Sequence, residues 1–124
     1  MMPKLLDDRT IEWPTLDDET IARVIVDFTQ EIDYLYLFLV ENPVAAVWDL
    51  REDNRTYVGL RMIDDETWTN EAVGIMIEDF YGSMVHAHPS WARVVTDTGA
   101  TKRAAIRSLI EDVAAMAPGG VPFQ

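Results

Sequence analysis

The chain has 124 residues, 22 of them Asp or Glu and 10 Lys or Arg, for a net charge of −12. With 48% hydrophobic residues and a mean hydropathy of −0.05, this length suits one folded domain and not a disordered chain. No cysteine is present, which excludes disulfides, thiolate metal sites and cysteine nucleophiles; the first eight residues lack the apolar run of a signal peptide and the longest apolar stretch, Tyr34 to Val40, is far shorter than a membrane span, so a soluble cytoplasmic protein is expected.

In chain order, residues 1–14 are expected as an extended arm, because Pro3 and Pro14 disfavour helix around them; Ile11 and Trp13 are available to staple it to the body. Thr15-Leu16-Asp17-Asp18 has the Thr-x-x-acid form of a helix start. Ile21, Val24, Ile25, Phe28 and Ile32 follow at helical spacing, which predicts a first helix running through them. Tyr34 to Val40 is apolar on every side, and its aromatic enrichment suits a central strand better than more helix. Glu41-Asn42-Pro43 breaks it, Val44 to Leu50 reads as a second strand, Arg51 to Asn54 as a turn and Arg55 to Ile63 as a third strand with Gly59 at a bulge. A three-stranded antiparallel meander follows. Arg55 and Arg61 would guard its edge or meet an acidic patch on a second copy, so a homodimer is expected.

Asp64-Asp65-Glu66 ends the sheet, and Thr69 or Asn70 would cap a helix with Val73, Met76, Ile77, Phe80, Tyr81, Met84 and Val85 as its apolar stripe. Trp91, Val94 and Val95 mark a short helix, Thr98 to Thr101 a turn, and residues 102–116 a last helix with Ile106, Leu109, Ile110 and Val113 inward. Pro118-Gly119-Gly120 opens a tail over 118–124. The expected fold class is α+β, a single domain over 15–117 in the order α-β-β-β-α-α-α.

Signatures of chemistry are sparse. His86 and His88, with Glu78 and Asp79 two turns upstream, have the residue types of a metal site. A histidine ending a helix is already favoured by the helix dipole, however, and His88 precedes a proline, so no metal is assigned. Ser83, Ser90 and Ser108 stand in no triad-like context. No catalytic residue and no cofactor is assigned, and the chain is read as non-enzymatic.

One segment has a family-like pattern: Asp97-Thr98-Gly99-Ala100-Thr101-Lys102-Arg103-Ala104-Ala105-Ile106-Arg107-Ser108-Leu109. It resembles the turn and recognition helix of bacterial helix-turn-helix regulators, with Val94 and Val95 at apolar positions of the first helix, Gly99 at the turn, and Ala105 and Leu109 on the buried face. The resemblance, which extends over residues 90–110, implies that Thr101, Lys102, Arg103 and Arg107 face DNA. Ala105 stands where a larger β-branched residue is usual.

Charge distribution points elsewhere. Residues 1–85 hold 19 acidic against 6 basic residues, and residues 86–110 hold four basic residues against Asp97 alone. The first region repels a phosphate backbone and attracts a basic surface. The expected function is therefore a non-catalytic acidic protein-binding domain that occupies a basic surface on a partner, such as that of a nucleic-acid enzyme, as an inhibitor, an antitoxin or immunity protein, or a nucleic-acid mimic. An acidic secretion- or assembly-type chaperone and the helix-turn-helix regulator are the alternatives. Asp17, Asp18 and Glu19 of the first helix, with Asp53, Asp64, Asp65 and Glu66 in the loops, would steer the partner, and Trp68 would supply an apolar anchor.

Overall fold

Alternation decides the architecture. In Tyr34-Leu35-Tyr36-Leu37-Phe38-Leu39 every second residue is a leucine, and successive side chains of a strand point to opposite faces. Leu35, Leu37 and Leu39 are buried, whereas Tyr34, Tyr36 and Phe38 are half-buried on the other side. The structure is a computed structural model that describes residues 4–5, 11–41, 46–50, 55–64 and 66–116, with backbone alone at 4–5 and 46–50. Its elements are β1 (Lys4–Leu5), α1 (Asp18–Ala22), β2 (Ile25–Thr29), β3 (Tyr34–Phe38), β4 (Ala46–Leu50), β5 (Thr56–Met62), β6 (Thr67–Ile77), a π-helical turn (Phe80–Met84) running into α2 (Val85–Ala87), a 3-10 turn (Pro89–Ala92), α3 (Arg93–Thr96) and α4 (Gly99–Met116).

The sheet order is β2-β3-β6-β5-β4, antiparallel throughout, with β1 added in parallel to β6. The α+β class thus holds, with a helix first, an antiparallel sheet next and helices after it. Two segments expected as helix are strand instead. The first helix ends at Ala22, and Ile25 to Phe38 form a hairpin in which Val26 and Phe28 lean on the core while Ile25, Asp27 and Thr29 point away. The β-branched run Ile25-Val26 prefers a pleated surface, and a period of two places Val24, Val26 and Phe28 on one face as readily as a period of 3.6 places Val24, Ile25 and Phe28. Asp33 closes the hairpin in the left-handed region at φ 56, which Asp tolerates better than most residues.

The second correction lies in β6, an eleven-residue strand where a capped helix was expected. Its inward residues are Trp68, Asn70 and Ala72, then Ile75 and Ile77. Between these sets the pairing to β5 shifts, from Leu60↔Ala72 to Gly59↔Gly74, so Val73 is the extra residue of a bulge. That one-residue phase change turns a strict alternation into spacings that imitate a helix. The expected meander is also redrawn: β3 pairs with β2 and β6, not with β4, and β5 lies inside the sheet between β6 and β4. Arg55–Ile63 is consequently not an edge.

One face of the sheet is covered. Phe80, Met84, Trp91, Val94, Ala105, Ile106, Leu109, Ile110 and Val113 join Leu35, Leu37, Leu39, Val58, Leu60, Ile75 and Ile77 in a single core. Trp91 is fully buried, and its indole N–H donates to Asp112 Oδ2 at 2.9 Å, fixing the 3-10 turn to α4. Arg107 of α4 reaches back to the start of the chain, donating to the Leu16 carbonyl at 3.1 Å and to Asp18 Oδ1 at 2.8 Å. Ile11 is buried in the same core, and the backbone of Glu12 pairs with both Asn70 and Ala72. Residues 117–124 lie outside the described set. Among the described residues no helix is long and apolar enough to cross a membrane.

Candidate functional site

The second face of the sheet is built from the residues that alternate with the core. Asp27, Tyr36, Met76 and Tyr57 lie in one cross-strand row from β2 to β5, and Ile25, Phe38, Gly74 and Gly59 in the next. Phe38 and Met76 are not part of the core, and Ile25 is 54% exposed. Along β3 the aromatic rings form a ladder. Tyr34 and Tyr36 have centroids 6.3 Å apart, Tyr36 and Phe38 6.2 Å apart with planes only 4° from parallel. No described helix packs on this surface.

The ladder stands in a negative field. Partial burial raises the Tyr36 phenol above its ordinary pKa, and Tyr34, Asp27 and Glu78 push it the same way, so each of these groups disfavours a second anion at the ring. The Asp27 and Glu78 carboxylates favour a cation there, whereas burial disfavours charge of either sign. Nearby on the sheet, Arg61 is clamped by Glu71 through Nε at 2.7 Å and Nη2 at 3.2 Å; this pair holds the guanidinium charged and uses up that carboxylate.

The end of the sheet near Asp33 is crowded with acids that satisfy one another's surroundings. Asp33 accepts from the backbone N–H groups of Tyr81 and Gly82, both at 2.9 Å, and so caps the π-helical turn. Asp79, also left-handed at φ 52, accepts from Ser83 Oγ at 2.6 Å and faces Arg55 at 3.5 Å. A Cβ at Gly82 would collide with the Asp79 carboxylate, so a larger residue there must displace that side chain. His88 stacks on Trp91 with centroids 4.1 Å apart, and no three metal-ligating side chains come together among the described residues.

The acids expected to steer a partner are dispersed, and most serve local structure. Asp17 is the N-cap of α1, accepting from the Thr20 N–H at 2.8 Å; that bond, joined by the Thr20 hydroxyl, holds its carboxyl below the usual aspartate range. Asp18 pairs with Arg107 and Glu19 with Arg23, on the helical side of the molecule. Asp64 sits at the opposite end of the sheet from Asp33, bonding the N–H groups of Glu66 and Thr67 in the β5–β6 turn. Asp53 and Asp65 fall outside the described residues. Trp68 is a correction: it is 1% exposed in the core, its indole N–H has no partner among the described residues, and it cannot anchor a ligand. Thr101 and Arg103 are exposed and Lys102 half-buried at the start of α4, whereas Arg107 is engaged with Leu16 and Asp18.

The aromatic ladder was missed as a site because the run from Tyr34 to Val40 reads as uniformly apolar. Its signal was present in the strict exchange of Leu with Tyr or Phe, which separates a core face from a second face able to tolerate water. No protein-family model matches the chain, and no curated protein or solved structure shows significant similarity to it.

Proposed function

We propose that the protein is a non-catalytic acidic domain that binds a basic surface on a partner protein. One observation carries this reading: among the described residues, exposed carboxylates are left without a counter-charge. Arg23, Arg55, Arg61 and Arg107 are each held by a carboxylate. Asp27, Glu31, Glu41, Glu66 and Glu111 remain exposed without an ion pair among the described residues. Such a surface accelerates encounter with a cationic partner, and apolar contact at the interface centre slows its release. Where the partner's basic surface is a nucleic-acid groove, the domain acts as an inhibitor by mimicry. Affinity capture from the native cell at low salt, followed by salt elution, tests the reading. Recovery of a basic protein that leaves the column as salt rises supports it, and recovery of none at any ionic strength overturns it.

A second reading rests on the α3–α4 corner, where Arg93, Lys102 and Arg103 have no ion pair among the described residues. These cations suit phosphate contacts in a DNA-binding regulator. A gel-shift series against the upstream region of its own gene tests it, and retained binding after Lys102→Ala with Arg103→Ala excludes α4 as the reading helix.

A further inference from the structure

The geometry points to the sheet face that no described helix covers as the docking surface for an extended, arginine-bearing segment of the partner, laid along the Tyr34–Tyr36–Phe38 ladder. This deepens the acidic-binding reading and rests on it. Spacing is the first argument. The rings repeat every 6.2–6.3 Å along β3, and an extended chain repeats its side chains on one face every two residues, about 6.6 Å. Alternate side chains of a strand-like segment therefore meet successive rings.

Charge is the second argument, and it selects the occupant. Asp27, directly across from Tyr36, and Glu78, at the end of β6, have no ion pair among the described residues. A cation over the ring gains both the π-face and these carboxylates. Arginine fits better than lysine, because a planar guanidinium stacks on an aromatic face while its remaining N–H groups reach a carboxylate two at a time. Aromatic residues on a bare sheet face also stack single-stranded bases in other proteins, but that use needs a basic border to hold phosphates. Here the border is acidic, which disfavours RNA and favours a protein segment.

The test titrates the full chain with two synthetic peptides of equal length and charge, one alternating Arg with Thr and one alternating Lys with Thr, and with a uridine oligonucleotide. The arginine peptide is expected to bind at least about fivefold tighter than the lysine peptide at moderate salt. Tyr36→Ala with Phe38→Ala should abolish that preference, and the exposed Asp27→Asn, which leaves the sheet intact, should weaken the arginine peptide severalfold. Aromatic ring resonances of Tyr36 and Tyr34 should shift on titration. Equal affinity for the two peptides overturns the inference, as does unchanged binding by the aromatic double variant, or preference for the oligonucleotide. If neither peptide binds at low salt while a basic protein is still captured from the native cell, the docking mode falls and the acidic-binding reading stands.

Discussion

The two faces of one strand, β3, behave as two different materials. Leu35, Leu37 and Leu39 are fully or almost fully buried beneath the helices, while Tyr34, Tyr36 and Phe38, on the alternate positions, stay half-buried with no described helix above them. The leucine face has only apolar atoms to offer and finds a partner inside the chain. The aromatic face combines apolar area with hydroxyl groups and π-faces, so it stays serviceable in water and open to another molecule. On the proposed docking mode, stability is invested in one side of the sheet and recognition in the other, and substitutions should separate the two.

The largest loss of stability is expected on the leucine side. Leu37→Ala should cost about 2–5 kcal/mol, a large part of the ~5–15 kcal/mol that holds a domain of this size, and urea unfolding would read it as a shifted midpoint with little change in slope. Gly82→Ala should cost about 1–3 kcal/mol by forcing Asp79 out of its contact with Ser83, measurable by the same unfolding curve. Tyr36→Ala, one residue from Leu37 but on the other face, should cost only about 1 kcal/mol. Should it cost as much as Leu37→Ala, the aromatic face is packed as a core and the contrast between the faces collapses.

Smaller effects probe the clamp between the helical layer and the start of the chain. Arg107→Ala removes the bond to the Leu16 carbonyl and the solvent-facing pair with Asp18, and should cost about 0.2–1 kcal/mol, with faster amide exchange in residues 16–22 than in α4. The smallest effect is at Asp17. Its carboxyl titrates lower in the folded chain than in the unfolded one, so its stabilising contribution is complete above the unfolded value and is lost as pH falls through the folded value. A pH titration of the Thr20 amide resonance should show a midpoint below the ordinary aspartate range, and Asp17→Asn should remove that step.

Much of the helical half was legible in the sequence. The last helix, the short helix around Trp91 to Val95 and the turn at Gly99 come directly from spacing and from the need for a left-handed residue at the corner, where Gly99 has φ 61. The sheet was legible only in part. Val24, Val26 and Phe28 satisfy a strand, and Val24, Ile25 and Phe28 satisfy a helix; only the pairing of Ile25–Thr29 with Tyr34–Phe38 decides between them, and pairing is a tertiary fact. The bulge at Val73 hid β6 in the same way, since it breaks the alternation that identifies a strand. For the site, net charge suggested the sign of the proposed partner but gave no place for it, because Asp17, Asp18, Glu19 and Asp64 look like steering charges in a list and act as caps and clamps in space.

The parallel docking of the N-terminal arm has a kinetic consequence. Its residues complete the edge of β6 beyond the reach of β3: the ladder passes from Leu39–Val73 to Glu12, paired with Asn70 and Ala72, and then to Lys4 and Leu5 opposite Thr67 and Trp68. Each of these contacts closes a loop of some 60 residues, an entropic cost that local hairpins such as β2–β3 do not face. On a ribosome the arm emerges before β6 and has no ladder to join until that strand has been made. These early residues are therefore among the last to settle, and until they do β6 keeps an unpaired edge beside Trp68 and Ala72, open to pairing with a neighbouring chain.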